Sequence, residues 1–162
     1  MSGREGAGLG RAAAVALAAV ALDQISKALV RSEIQPGESI DLIFGTELVR
    51  VSNSGIAFGL FSDAGSIVLV IAAIAFAVLL GLFLLSADRP GLWLPVGLLA
   101  GGAIGNLIDR IRDGAVTDFI DPPNWPAFNL ADVEITVGVL ILVGIYLFGN
   151  EATAESGQPA EP

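Results

Sequence analysis

Long apolar runs broken by isolated charges set the pattern of this chain. Residues 65–85 carry no charge and would extend about 31 Å as a helix at ~1.5 Å per residue, the thickness of a bilayer's hydrocarbon core. Residues 92–108 are also uncharged and run directly into Asp109 and Arg110. Residues 130–148 confine Asp132 and Glu134 to their first turns, and residues 12–30 are interrupted only by Asp23 and Lys27. The pattern predicts four transmembrane helices, about 12–30, 65–85, 92–111 and 130–148. A cleaved signal peptide competes for the first, because Arg4 and Arg11 precede an Ala-rich run. The three further spans and the charges within the run favour a retained helix.

The segment from Arg31 to Asp63 is too long for a turn and too patterned for a tail. Ser39–Ile43 and Glu47–Ser52 mix β-branched, apolar and acidic residues around Phe44-Gly45, which predicts a short hairpin. Gly55–Phe61 is apolar and punctuated by glycine, as an interfacial segment would be. A hairpin with open edges cannot sit in hydrocarbon, so it belongs at the headgroup level. Residues 1–10 and 149–162 are rich in Gly, Ala, Pro and Glu and predict disordered tails around a single domain, 11–148. An even number of spans puts both termini on one side. The positive-inside rule does not settle which, since Arg4, Arg11 and Arg89 face Arg31, Arg50, Arg110 and Arg112.

Composition agrees with a membrane setting. Hydrophobic residues make up 54% of the chain and charged residues 15%, against roughly 25% charged in soluble domains. The mean hydropathy is +0.74. A net charge of −9 lacks the basic footprint of a nucleic-acid binder. The absence of Cys and His removes disulfides, thiol nucleophiles, Ser–His triads and zinc sites built on those residues. No metal and no cofactor is expected. Chemistry must rest on carboxylates, Asn, Ser, Arg and the single lysine, Lys27.

Several polar residues sit where an apolar span should have none. Asp23 and Lys27 are four apart with the acid first, the favourable order for a helical ion pair. Asp23 lies about 12 Å below the Arg31 end of its span, at ~1.5 Å per residue. A structural pair with Lys27 snorkelling to the surface is one reading, and a functional cavity is the other. Gly97, Gly101 and Gly105 form a small-residue stripe, read as helix packing rather than binding. Asn106, Asp109 and Arg110 share one helical face beyond it, the last two as an interfacial pair. After a turn at Asp113-Gly114, VTDFID carries Asp118, and FNLADVEI carries Asn129, Asp132 and Glu134. Alone, Asp132 is an ordinary helix-dipole partner and Asp118 a loop acid. Convergence changes this: Asp23, Asn53, Asn106, Asp109, Asp118, Asn129 and Asp132 map to one membrane side. Two carboxylates close together share a proton, and such a pair activates water as aspartic proteases do. A Ser26–Lys27 dyad is weaker, because adjacent helical residues point apart.

GGAIGNLIDR (101–110), VTDF (116–119), FNLAD (128–132), NSGIAFG (53–59) and DQISK (23–27) together resemble the ordered motifs of lipoprotein signal peptidase, signal peptidase II. The resemblance runs from Asp23 to about Gly138. It implies four transmembrane helices with both termini cytoplasmic, an extracytoplasmic β-cradle and an interfacial helical segment. By motif position Asp118 and Asp132 match the catalytic dyad. Asp23, Lys27, Asn53, Asn106, Asp109, Arg110, Asn129 and Ala131 match supporting positions. Ile56 stands where a smaller Ala is expected. The implied substrate is a diacylglyceryl-modified prolipoprotein, cleaved just before the lipidated Cys in the bacterial cytoplasmic membrane, among membrane lipids. The acyl chains would hold the scissile bond at headgroup level, where water still reaches helix ends. The competing reading is a small four-helix proton-coupled transporter with Asp23 as carrier. It would want its acids near the bilayer midplane and has no use for the 31–63 hairpin.

Overall fold

The computed structural model describes residues 3–54, 81 and 91–148. Three helices and three strands follow one another as α1 (Gly3–Glu33), β1 (Ser39–Asp41), β2 (Glu47–Asn53), α2 (Trp93–Asp113), β3 (Val116–Asp121) and α3 (Leu130–Phe148). The expected span 65–85 apart from Gly81, the interfacial segment 55–61 with Ile56, and the tail 149–162 lie outside the described residues. All three described helices are long and apolar enough to cross a membrane. The helix bundle is apolar outside and polar inside. Leu17 is 72% exposed, and Leu29, Leu140 and Leu147 are exposed too, whereas Asp23 and Lys27 are 0% exposed. A lipid-facing surface needs this arrangement, because charge is costly in hydrocarbon and must turn toward protein.

The helix α1 starts earlier than expected. Residues 3–10, expected as a disordered tail, continue the helix, with no proline before Pro36 to stop it. Continuing the helix keeps every backbone group bonded at the entry to an apolar span. The glycine stripe does what its spacing suggests. A Cβ on Gly97 would stand 2.6 Å from the Val15 Cβ, and one on Gly105 2.5 Å from the Asp23 carboxylate. Gly101 leaves the same room for Ala19. On another face of α2, a Cβ on Gly102 would meet the Ala131 carbonyl at 2.5 Å, and Gly138 of α3 makes way for Leu99. The central helix α2 therefore touches both neighbours at near-backbone distance.

The hairpin forms as its pattern predicts, with Phe44 (φ 56) and Gly45 (φ 74) turning the chain between β1 and β2. The sheet holds a third strand that the sequence pattern did not reveal. β3 pairs antiparallel with β2, in the order β1-β2-β3, and the register irregularity between Leu48 and Val51 sets Val51 opposite Asp118. VTDFID shows no alternation because Val116, Thr117, Asp118 and Phe119 are all buried. A strand covered on both faces loses the period-2 signal. Gly114 (φ 73) stops α2 with its N–H on the Arg110 carbonyl at 3.1 Å, and so aims β3 back along β2. Val30, Ile34 and Phe119 form a small core that fixes the sheet to the end of α1.

Close packing of α1 on α2 is testable at Gly101. Gly101→Leu should destabilise the protein by about 1–3 kcal/mol, read as a lower melting temperature in detergent. Gly144→Ala, where nothing lies within 4 Å of an added Cβ, should change little. Equal melting temperatures for Gly101→Leu and wild type would show that the two helices do not meet there.

Candidate active site

The site begins with how α3 starts. The first N–H groups of a helix have no partner inside it. Here Asn129 is the capping residue: its Oδ1 accepts from the Asp132 backbone N–H at 3.1 Å, while the Asp132 Oδ2 accepts from the Asn129 N–H at 3.2 Å. This is a reciprocal capping box built from Asn and Asp. Next to it, the Ala131 N–H donates to the Asp23 Oδ1 at 3.1 Å, across 108 positions of sequence. Ala131 itself is fully buried against α2, where only a small side chain lets α3 approach Gly102 so closely.

Below that junction lies a buried charge cluster. The Lys27 ammonium donates to the Asp23 Oδ2 at 2.8 Å and the Asn106 Oδ1 at 2.9 Å, and sits 3.1 Å from the Asp109 Oδ2. Three hydrogens meet three acceptors, so no donor is left unmet. Asp109 also accepts from Gln24 Nε2 at 3.0 Å and from the Thr117 N–H at 3.1 Å. The expected Asp109–Arg110 pair does not form. Asp109 turns inward to Lys27, with Arg31 at 3.7 Å and Arg112 at 3.9 Å, and Arg110 donates to the Asn106 carbonyl at 3.3 Å. Neighbouring helical residues project about 100° apart, given 3.6 residues per turn. They cannot both enter the same cluster.

Two asparagines connect the cluster to two further carboxylates. Asn106 uses its Oδ1 for Lys27 and for Asn129 Nδ2 (3.1 Å), and its Nδ2 donates to the Asp132 Oδ1 at 2.9 Å. Asn129 Nδ2 also donates to the Asp118 Oδ1 at 2.7 Å, and Asn53 Nδ2 to the Asp118 Oδ2 at 2.8 Å. Asn129 thus bonds both carboxylates, with Asn53 completing the hold on Asp118 and Asn106 that on Asp132. The carboxylates differ in surroundings. Asp118 is 2% exposed within β3, whereas Asp132 is half-buried and lines a cavity of about 310 Å³ with Trp125, Phe128, Val133, Thr136 and Val137. Burial pushes the Asp118 carboxyl above its ordinary value, the Asn53 and Asn129 donors pull it down, and the nearby Asp132 pushes it further up. A buried carboxylate close to a second one is the arrangement in which a pair holds one proton.

Every residue matched to the dyad or to a supporting position falls in this network except Arg110, which touches it only through the Asn106 backbone. Three contributors were missed. Gln24 bonds Asp23, Asp109 and the Gly105 carbonyl, and its only signal is polarity inside an apolar run. Arg31 donates to Thr117 Oγ1 at 3.0 Å. Thr117 acts through its backbone N–H, which no side-chain pattern announces. Glu134, one turn into α3, is 7% exposed and its Oε2 has no hydrogen-bond partner among the described residues.

Fold and site together define an integral membrane protein with a carboxylate pair mounted where helix ends meet a small sheet. A family model described as signal peptidase (SPase) II matches residues 15–148, and the chain belongs to that family. It is 43% identical over 130 residues to the lipoprotein signal peptidase of Moorella thermoacetica, covering 79% of this chain and 87% of that protein. It is 37% identical over 142 residues to that of Halothermothrix orenii, covering 87% and 97%. A bacterial membrane enzyme solved at 1.9 Å superimposes with a TM-score of 0.78 at 30% identity, over 86% of this chain and 94% of that one.

The hydrogen bond from Asn53 gives a direct test of the Asp118 environment. A donor to the charged form lowers a carboxyl pKa, so Asn53→Ala should raise that of Asp118 further. Infrared difference titration, with Asp118→Asn as the blank, should show the protonated carboxyl persisting to higher pH in Asn53→Ala than in wild type. An unmoved or lowered titration would remove Asn53 from the site.

Proposed function

We propose that this chain is an aspartic endopeptidase that removes signal peptides from diacylglyceryl-modified prolipoproteins, cleaving just before the lipidated Cys. Family membership supports the substrate class. The observation that carries the mechanism is that Asn129 bonds both Asp118 and Asp132, while Asn106 bonds Asp132 and Asn129 itself. Asp118, the more deeply buried, holds the shared proton. Asp132, facing the cavity, takes a proton from water as the oxygen attacks the scissile carbonyl carbon, while Asp118 gives its proton to the carbonyl oxygen. The resulting gem-diol collapses: the C–N bond breaks, the proton on Asp132 passes to the leaving nitrogen of the lipidated Cys, and one gem-diol hydroxyl returns its proton to Asp118 as the new C=O forms. The signal peptide leaves with a new carboxyl end. Asp23, Lys27, Asn53, Asn106, Asp109, Arg110, Asn129 and Ala131 support the pair without touching the reacting atoms.

The same reading places a fourth span at 65–85, an interfacial segment at 55–61 and one peptidase domain over 11–148. The apolar wall of the Asp132 cavity suits acyl chains or signal-peptide side chains at the membrane surface. The acids gather at one end of the helices beside the sheet, which supports a peptidase over a transporter with a midplane carrier. Because signal peptides leave their cleavage site at the outer face, both termini are cytoplasmic and the sheet is extracytoplasmic in the bacterial cytoplasmic membrane. The one-residue arginine bias against this is no obstacle: Arg31 is already engaged by Asp109 and Thr117.

Purified protein should cleave a diacylated lipobox peptide in detergent, and Asp118→Asn and Asp132→Asn should each lower turnover by at least about 10³-fold with insertion intact. Turnover within a few-fold of wild type in either variant would remove that Asp from the chemistry. For orientation, single substitutions Ser2→Cys and Ser39→Cys in this Cys-free chain can be probed in intact cells with an impermeant thiol reagent. Labelling at position 39 with protection at position 2 is expected, and the reverse would invert the topology.

A further inference from the structure

Another cavity, of about 370 Å³, lies among Arg31, Arg50, Val51, Ser52, Asp113 and Thr117. The helix α1, 31 residues long, extends about 46 Å at ~1.5 Å per residue, enough for the hydrocarbon core and both headgroup layers. Arg31, two residues from its end, therefore stands at headgroup level, and so does the cavity it lines.

The charges around this cavity do not balance. Arg112 is taken up by Asp113, with its Nη2 2.8 Å from the carboxylate. Arg31 lies 3.7 Å from both Asp109 and Asp113 and donates to Thr117. Lys27 is held by Asp23 and Asp109. Lys27, Arg31 and Arg112 thus share Asp23, Asp109 and Asp113, and Arg50, among the cations around this cavity, pairs with no carboxylate of the described residues. Its Nη1 donates to the carbonyls of Arg31 (3.0 Å) and Ile34 (3.5 Å), at the negative end of α1. Its Nε and Nη2 hydrogens have no acceptor among the described residues, and neither has the Ser52 hydroxyl a partner there. In a chain of net charge −9, an arginine beside a cavity with no carboxylate partner among the described residues stands out. The donor set is a guanidinium edge, a hydroxyl and a second guanidinium, which suits the oxygens of a phosphate.

We propose that this cavity binds a phosphate group at the membrane surface, of the kind a phospholipid headgroup carries, with Arg50 as its principal partner and Ser52 as a second donor. The Val51 wall receives the glycerol end, and the acyl chains run down the exposed apolar face of α1.

The test measures ligand-induced stabilisation of the full chain in detergent, apart from any peptidase activity. Dioctanoyl phosphatidylglycerol should raise the melting temperature by several degrees, and dioctanoylglycerol, with the same tails and no phosphate, should not. Inorganic phosphate giving the full shift at millimolar concentration would keep the site but make the free anion its ligand. Arg50→Gln should weaken the apparent affinity at least about tenfold, as expected for a charge-assisted pair. Because Arg50 also caps α1, Ser52→Asp serves as a second variant: it sets a negative group in the cavity, leaves the cap intact, and should abolish the shift. Equal shifts with both dioctanoyl compounds, or an undiminished phosphatidylglycerol shift in Ser52→Asp, would overturn the proposal.

Discussion

The Lys27 ammonium is the interaction on which the rest depends. A lysine with no exposure inside a membrane helix is tolerable only if each N–H meets an acceptor, and removal of one partner from such a buried cluster typically costs 3–5 kcal/mol. Its three acceptors come from α1 itself, from Asn106 and from Asp109 on α2. The lysine therefore sets the rotation of α2 against α1 as firmly as the glycine stripe sets their distance. Gly105 matters for the same reason, since any Cβ there would strike the Asp23 carboxylate that Lys27 holds.

From that anchor the order spreads by shared acceptors and donors rather than by apolar packing. Asp23 spends one oxygen on Lys27 and the other on the Ala131 N–H, so α1 caps α3. Asn106 relays the ammonium's pull to Asp132, and Asn129 ties Asp132's helix to Asp118's strand. Among the described residues the apolar cores are small, and large side chains such as Leu17 and Leu140 face outward. In a membrane the lipid supplies an equally apolar surround, so helices gain specificity from close packing of small residues and from polar contacts. Glu134 is the exception, an acid inside the bundle with an oxygen unmatched by any described donor.

How legible this was from sequence differs by element. The spans at 92–111 and 130–148 and the Asp23–Lys27 pair followed from charge-free length and i,i+4 spacing, because a bilayer imposes both. The hairpin around Phe44-Gly45 announced itself through turn chemistry. Strand β3 did not, because burial on both faces erased its alternation. The partner of Asp109 was misjudged for a related reason: local adjacency suggested Arg110, whereas the helix turns Asp109 toward Lys27, 82 positions away. Gln24 showed only as a polar residue in an apolar run and the Thr117 N–H not at all, since their roles exist only once α1, α2 and β3 are brought together.

Asp132 shows why structural and chemical readings of one residue need not compete. As the third residue of α3 it completes a capping box with Asn129, which alone would account for an acid at that position. Yet the cap uses only its Oδ2, and Asn106 holds the Oδ1 from the side. A carboxylate fixed through both oxygens to two helices keeps one orientation toward the cavity beside it, as the activation of water by a dyad requires. The cap is thus the device that positions the proposed catalytic group. Asn129 makes the same economy on the other side, capping α3 with its Oδ1 and holding Asp118 with its Nδ2. The two carboxylates keep their relation because the start of α3 cannot form without setting it.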